Sequence, residues 1–223
     1  MKMYFLSLIA AIIMLPGWSA AAETSWTLEI LGGSAYNFTT PLTIRQTGET
    51  DIKLDARYST RPFTGSPYFS IRLGRWADNR AWEFEMTHHK LYLDNRPPEV
   101  QRFEISHGYN QITLNRAWNY RGFIFHLGLG LVLTHPETRV RGKANTWVNG
   151  LLPTGDKGFR LSGTTAQAAV GKRFFIYQGL FINLEGKLTG SYATIPIVDG
   201  DASVPNVAVH GLIGLGYEYL GRN

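Results

Sequence analysis

Residues 82–110 hold the densest group of side chains that could carry out chemistry. His89 lies before a Pro97-Pro98 pair, and Glu104 and Ser106 lie after it. If the chain folds back at the two prolines, these three residues face one another across a hairpin, and we predict that they converge. A serine that attacks, a histidine that takes its proton and a carboxylate that orients the histidine together form a hydrolytic site. His89, Glu104 and Ser106 are therefore the candidate catalytic residues.

The same group could bind a divalent cation instead, because imidazole and carboxylate groups both ligate transition metals. A further ligand could come from His126 or His210. The chain has no cysteine, so thiolate nucleophiles and thiolate metal sites are excluded. No residue pattern in the sequence assigns a metal ion or identifies a cofactor.

The residues that must position this group follow an N-terminal targeting segment. Residues 1–22 combine a short positive start, an apolar run and the small residues Ala20-Ala21-Ala22, which is the pattern of a secretory signal peptide. We expect residues 23–223 to form the mature protein as a single domain. Charged residues are only 17% of the chain and glycines number 24, which argues against a disordered chain or a coiled coil. The net charge of +5 suits contact with an anionic surface but is too small to indicate a nucleic-acid partner.

The elements of the mature chain are predicted to be strands, because apolar and polar residues alternate with a period of two. Residues 122–134 show the pattern best, since phenylalanine or leucine occupies every odd position from 123 to 133. The same alternation recurs in residues 51–58, 68–76, 81–89, 101–109, 180–191 and 207–219. No stretch has a convincing helical period, and none after residue 23 has the about 20 apolar residues that a membrane-spanning helix needs. The predicted fold class is therefore all-β.

Short and long connections between these strands alternate along the chain. Short turns are expected at residues 78–79, 115–120 and 176–179, and longer connections at residues 59–66, 94–98, 135–159 and 193–206. Short periplasmic turns and longer outer loops are typical of a single antiparallel transmembrane β-barrel in the bacterial outer membrane. With residues 26–35 as the first strand and 40–46 as a short second strand, we predict about ten strands. If residues 40–46 are loop, eight strands are possible.

Alternation alone does not show which face of the barrel points inward. A soluble, lipocalin-like barrel has its apolar face inside, whereas a membrane barrel has it outside. The unbroken apolar row of residues 123–133 favours the membrane barrel, and so do the glycines that alternate with it, because small residues leave room inside a narrow barrel. Aromatic residues near the strand ends point the same way, since such residues form girdles at membrane interfaces.

In its signal peptide, its glycine-rich alternating strands and its closing strand at residues 210–220, the chain resembles the small outer-membrane β-barrel superfamily of bacteria. This superfamily includes the opacity-type and outer-membrane-protein-A-like barrels. The resemblance covers nearly all of the mature chain and implies an integral outer-membrane protein of a Gram-negative cell. Such barrels usually end on an aromatic residue that the assembly machinery recognises, but here Tyr219-Leu220 is followed by three more residues. We expect Tyr217 and Tyr219 to serve as that signal.

Three functions stay open for such a barrel. The first is a structural or surface-interaction role, in which charged lumen residues pair with one another because a buried charge needs a partner. The expected lumen set balances five basic and five acidic residues: Lys53, Asp55, Arg57, Arg72, Glu83, Glu85, Glu104, Arg173, Glu185 and Lys187. The second is a lipid A-modifying enzyme of the deacylase or oxidase kind, and the third is a secreted lipocalin-like barrel that binds a ligand.

The deacylase alternative is based on a loose similarity in residues 88–106. The deacylase barrels carry a histidine, a serine and an acid, and residues of these types occur here. The spacing differs, because the position two residues after each of His88 and His89 is not a serine. The deacylase site faces lipid, whereas the alternation of side chains along the strand places Glu104 and Ser106 in the lumen.

Residues 135–160 form the longest predicted outer loop, and their charged residues are mostly basic. Arg139, Arg141 and Lys143 are the candidate lipopolysaccharide-binding residues, because basic side chains bind phosphate groups. A loop that is simply solvated is the alternative. The expected partners are outer-membrane lipid, lipopolysaccharide and, during insertion, the barrel assembly machinery.

Overall fold

The computed structural model describes residues 24–145, 152–154 and 157–220, and their regular structure is β-strand, as predicted. The predicted signal peptide lies outside the described residues. None of the described residues forms a helix long and apolar enough to cross a membrane. The fourteen strands are β1 (Thr24–Asn37), β2 (Thr40–Gln46), β3 (Ile52–Ala56), β4 (Tyr58–Ser59), β5 (Phe69–Ala77), β6 (Arg80–Leu93), β7 (Val100–Tyr120), β8 (Phe123–Thr134), β9 (Glu137–Val140), β10 (Lys143–Asn145), β11 (Leu152–Thr154), β12 (Lys157–Tyr177), β13 (Leu180–Ile197) and β14 (Gly200–Leu220).

Eight of these strands close into an antiparallel ring in the order β1-β5-β6-β7-β8-β12-β13-β14. The closing pair of β1 and β14 runs from Ser25 opposite Leu220 to Asn37 opposite Ala208. The ring formed by the described residues therefore has the lower of the two strand counts that the sequence left open. The second stretch, Thr40–Gln46, is a strand as predicted, but it pairs with β3 and with the first residues of β14 and does not join the ring.

Connections of unequal length separate the two ends of the barrel. At one end, here called the turn end, residues 78–79, 121–122 and 178–179 form two-residue turns. Both residues have positive φ in the Arg121-Gly122 and Gln178-Gly179 turns, as type I′ hairpin turns require. Strands β2–β4 and β9–β11 lie in connections at the other end. The predicted alternation of short and long connections is confirmed in the main, although the β13–β14 turn at that end is also short.

The half of the barrel nearer the turn end has its apolar side chains outside. On β8, Leu127, Leu129 and Leu131 are about half exposed, whereas His126, on the opposite face of the same strand, is buried. Water would penalise such an exposed apolar surface, but lipid does not. The predicted facing is confirmed, and the lipocalin-like alternative, which needs the opposite facing, is wrong.

The opposite half of the barrel reverses this pattern and encloses an apolar core. The hairpin of β2 and β3 contributes to this core, and Leu42 and Ile44 of β2 are fully buried in it. We call the following residues the outer core: Leu42, Ile44, Ala56, Tyr58, Leu91, Leu93, Val100, Phe103, Ile105, Tyr109, Val132, Val140, Ala193, Ile195, Ile197, Ala202 and Val204. The part of the molecule around the outer core is the outer head. Its outer wall carries polar residues, so this half is built like a water-soluble protein.

Candidate functional site

The lumen between the turn end and the outer core contains buried charges centred on Arg72. The Arg72 guanidinium is fully buried and donates hydrogen bonds to Glu85 and Glu185. The pair with Glu185 is bidentate, with Nη1–Oε2 and Nη2–Oε1 distances of 2.7 and 2.8 Å. Forked pairs of this kind are among the strongest charge-assisted hydrogen bonds in proteins.

Further pairs surround Arg72 and complete a network. Lys187 bonds to Glu85, and the Nδ1 atom of His126 lies 2.7 Å from Oε2 of Glu83. Four carboxylates thus face two guanidiniums, one ammonium and one imidazole. We call these eight residues the lumen network: Glu29, Arg72, Glu83, Glu85, His126, Arg173, Glu185 and Lys187. Their mutual pairing agrees with the prediction that charged lumen residues pair with one another.

The lumen network only partly matches the charged set predicted from the sequence. Its predicted members are Arg72, Glu83, Glu85, Arg173, Glu185 and Lys187. Glu29 was missed, although it alternates with the outward-facing Leu28 and Ile30, and its carboxylate receives a 2.5 Å hydrogen bond from Arg173. The predicted members that lie elsewhere, in the outer head, are Lys53, Asp55, Arg57 and Glu104. Lys53, Asp55 and Glu104 belong to strands whose apolar face points into the outer core, and Arg57 lies between β3 and β4, so their charges point away from that core.

His89 lies inside the barrel, as predicted, between the lumen network and the outer core. It is fully buried, and its Nε2 atom is 3.0 Å from Oδ1 of Asn37. The rings of Tyr68, Tyr109 and His210 surround it, with centroids 5.1 to 6.3 Å away. These contacts fix the imidazole among other polar and aromatic groups of the interior.

Glu104 and Ser106 lie on the outer wall, so the predicted convergence of His89, Glu104 and Ser106 is wrong. On this part of β7, Phe103 and Ile105 point into the outer core, and the intervening residues therefore point outward. The Glu104 carboxylate accepts a 3.1 Å hydrogen bond from Arg102. The prediction from side-chain alternation failed because β7 extends beyond the lipid-facing zone. Outside that zone the apolar side chains of the strand point into the barrel instead of away from it.

Ser106 lies close to the phenol of Tyr92 on the neighbouring strand β6. Burial and the nearby Glu104 carboxylate raise the pKa of the Tyr92 phenol, while the Ser106 hydroxyl and Arg61 act in the opposite direction. The Arg61 guanidinium lies over the Tyr92 ring at 4.6 Å. Ser106 is thus part of a surface group with a phenol, whereas the predicted proton acceptor His89 lies on the other face of the barrel wall.

The three basic residues predicted to bind lipopolysaccharide lie on the β9–β10 hairpin of the outer head. Arg141 donates hydrogen bonds to Oε1 of Gln46 at 2.9 Å and to the carbonyl of Thr50 at 2.7 Å, which ties this hairpin to β2. Lys143 forms a 2.8 Å ion pair with Asp199 in the β13–β14 turn. Arg139 is exposed on the outer wall. Residues 146–151 and 155–156 of the predicted loop lie outside the described residues.

One group of side chains within the described part of the chain could hold a metal ion, and sequence reasoning did not find it. It consists of His107, His135 and Glu137, each of which has a ligand atom within 4.8 Å of those of the other two. Nδ1 of His107 is 2.9 Å from Oε1 of Glu137. His107 is exposed, whereas the other two side chains are almost buried in the wall of the outer head.

No family model matches the sequence, and no curated protein matches it closely enough to count as a relative. Solved structures with a similar fold are bacterial outer-membrane proteins. The solid-state NMR structure of the outer membrane protein AlkL in DMPC lipid bilayers is 13% identical, covers 94% of this chain and 97% of that chain, and has a TM-score of 0.50. OprG from Pseudomonas aeruginosa is 10% identical over 90% of this chain and 97% of its own, with a TM-score of 0.44. Ail of Yersinia pestis is 11% identical over 89% and 99%, with a TM-score of 0.39.

The likeness to AlkL shows the fold, which is that of the small bacterial outer-membrane β-barrels. The closed ring satisfies the backbone hydrogen bonds of the spanning strands, as a lipid environment requires. The exposed apolar side chains of the ring strands, such as Leu127, Leu129 and Leu131, supply the surface that such a barrel presents to lipid, and we call this belt the apolar girdle. Fold and surface together are those of an integral protein of the bacterial outer membrane, in agreement with the resemblance seen in the sequence.

Proposed function

We propose that this outer-membrane barrel conducts no ions and holds a rigid β-structured head on the cell surface, where the head contacts lipopolysaccharide. The observation that carries the proposal is a lumen filled by two different kinds of packing. Arg72, at the centre of the lower lumen, is fully buried with its guanidinium bonded to two carboxylates. Above it, the outer core fills the barrel with apolar side chains.

A filled lumen supports a structural role because a water path needs polar, solvated walls along its whole length. The charges of the lumen network are paired with one another instead of with water. The buried amide of Gln167 donates further hydrogen bonds to Glu85 and Asn115. Through the outer core, a permeating ion would have to shed its water among side chains such as Leu42 and Ile44, at a cost of many kcal/mol. The barrel therefore acts as an anchor for the head.

Contact with lipopolysaccharide is supported by the position of Arg139. Its side chain is exposed on the outer wall, and in the register of β7 and β9 it lies opposite Arg102, which is itself about half exposed. The charge of Arg102 is paired with Glu104 and Glu137, whereas Arg139 forms no ion pair among the described residues. The Arg139 guanidinium is therefore the one available to phosphate groups, which guanidiniums bind through charge-assisted hydrogen bonds. Arg141 and Lys143 contribute less directly, because their charges are already bonded within the head.

Conductance in planar bilayers tests the closed lumen. The purified full-length barrel, inserted into bilayers beside a known porin as a positive control, should give no stepwise conductance while the porin does. Insertion is checked independently by the heat-dependent shift of its gel mobility. Reproducible conductance steps from the inserted wild-type barrel would contradict the proposed closed lumen.

Retention of lipopolysaccharide tests the surface contact. Arg139→Ala should lower the amount of lipopolysaccharide that copurifies with the barrel, and dephosphorylated lipopolysaccharide should bind the wild type as weakly as it binds the variant. Lys143→Ala is the matched control, because it removes one charge from the same hairpin but a charge already paired with Asp199. Equal retention by both variants and the wild type would contradict a phosphate contact at Arg139.

A further inference from the structure

A β-bulge in β7 turns His107 to the outside of the barrel wall. His89 pairs with Tyr109 and Leu91 pairs with Ile105, so residues 106–108 of β7 lie opposite a single residue of β6. Gly108 makes the bulge possible: its φ is 125°, and a Cβ atom there would collide with the Asn110 side chain. Bulges commonly re-aim a side chain beside a functional site.

The re-aimed imidazole of His107 meets two side chains from the end of β8 and the start of β9. The backbone N–H of His135 donates to the carbonyl of Gly108 at 3.2 Å, which joins the bulge to the β8–β9 connection. The His107 and His135 rings then lie 5.3 Å apart, and Oε1 of Glu137 is 2.9 Å from Nδ1 of His107. Two imidazoles and a carboxylate are thereby gathered at one point on the outer wall.

Neighbouring groups orient the two buried members of this cluster. Nδ1 of His135 lies 3.0 Å from the carbonyl of Gly158, so this nitrogen carries the proton and Nε2 is the nitrogen with the lone pair. Nη2 of Arg102 lies 2.5 Å from Oε2 of Glu137, which leaves Oε1 directed at the histidines. A histidine whose second nitrogen is bonded to a backbone carbonyl, and a carboxylate held by a hydrogen bond, are the usual supports of metal ligands.

We propose that His107, His135 and Glu137 form a binding site for a divalent transition-metal ion of the zinc type. Three protein ligands leave one position of a tetrahedral ion for water or an external group. Ligands 2.0–2.2 Å from zinc lie roughly 3.4 Å from one another, so the cluster must contract. The half-exposed His107 can make that movement while the other two side chains stay in place. Calcium and magnesium, which take oxygen ligands, bind more weakly here.

Calorimetric titration of the untagged, full-length barrel in detergent with zinc chloride tests the site. The wild type should bind one zinc ion per chain, and its unfolding temperature should rise with zinc concentration and return after chelation, because an ion that binds only the folded state stabilises it. Calcium or magnesium chloride at the same concentration should have little effect. Failure of the wild type to bind zinc, or equal binding of calcium, would overturn the assignment.

Three variants identify the ligands, and two matched variants control for them. His107→Ala, His135→Ala and Glu137→Gln should each weaken zinc binding at least tenfold. Glu49→Gln and Glu99→Gln should leave it unchanged, since each removes one carboxylate charge from an exposed position of the outer head that is not part of the cluster. His107 is exposed, so its replacement leaves the fold intact even if that of His135 does not. Undiminished zinc binding by a folded His107→Ala variant would overturn the proposal.

Discussion

Arg72 illustrates how a single residue can depend on the whole interior. Its side chain comes from β5, but the carboxylates around it come from β1, β6 and β13. Removing a guanidinium from this position leaves Glu85 and Glu185 buried without it. Breaking a buried ion pair from one side is far more harmful than the pair is helpful, because the remaining charge keeps its desolvation cost.

We therefore expect Arg72→Ala to lower the free energy of unfolding by about 3–5 kcal/mol. Arg57→Ala, which removes an exposed guanidinium of the outer head, should change it by no more than about 0.5 kcal/mol. Urea unfolding in detergent, followed by tryptophan fluorescence, measures both values. Similar stabilities of the two variants would show that the lumen network does not hold the barrel together.

The position of Ser106 leads to an expectation about lipid A. Because Ser106 lies on the outer wall and His89 lies inside the barrel, we expect no hydrolysis of lipid A at this serine. Lipid A from cells that make the wild type, Ser106→Ala or no protein should give the same mass spectrum. A mass change that requires the wild-type serine would instead support the deacylase alternative.

At the scale of single strands, β8 allows the same substitution to be compared at two depths in the membrane. Leu129 and Phe123 lie on the same outward face of this strand, the first near its middle and the second at its start. Leu129→Arg should destabilise the barrel by about 2–4 kcal/mol and Phe123→Arg by about 0–1 kcal/mol, since the cost of a charge falls towards the membrane interface. Urea midpoints in lipid vesicles measure the difference. Equal midpoints would mean that the row from 123 to 133 does not cross the lipid.

The sequence predicts strands better than it predicts where the membrane ends. Alternation placed Leu127 and Leu129 outside correctly, because the polar partners of these residues fill the lumen. The same alternation in Phe103 and Ile105 has the opposite meaning, since these residues pack in the outer core. Nothing in a period of two marks the height at which lipid gives way to water, and the candidate site containing Glu104 and Ser106 was misplaced for that reason.

The sequence did not predict the number of strands in the ring or the cluster of His107, His135 and Glu137, because both depend on contacts between residues far apart in the chain. Residues 40–46 have the composition of a strand, but their partner in β14 lies far along the chain, so sequence alone could not show that they leave the ring. His107, His135 and Glu137 come together only because a bulge at Gly108 changes the direction of one side chain. A glycine after a histidine does not by itself predict a bulge, because glycine also occurs in regular strands of this chain.

On the scale of the whole molecule, the barrel has two zones with opposite facing, which implies one orientation in the membrane. The apolar girdle spans the half of the barrel nearer the turn end, so the outer head must project from the membrane on the other side. The head belongs outside the cell if short turns are periplasmic, as in other outer-membrane barrels.

Single cysteines test this orientation without background, because the chain has none of its own. A cysteine at Glu99, in the connection between β6 and β7, should react with an impermeant thiol reagent on intact cells. A cysteine at Asn79, in the turn between β5 and β6, should react only after the outer membrane is permeabilised. Labelling of Asn79→Cys alone on intact cells would reverse the orientation.

The pairing of β1 with β14 determines when the barrel can close during folding. Ser25 donates a hydrogen bond to Glu218 across 193 positions of the chain, and β14 also supplies a partner to β2. The first strands synthesised must therefore wait, with an open edge, for the last one to arrive, and contacts so distant in sequence form slowly. Until then the girdle residues are exposed to water in an aggregation-prone chain that needs protection in transit. Any factor that carries this polypeptide to the membrane therefore has to keep β1 unpaired until β14 is available.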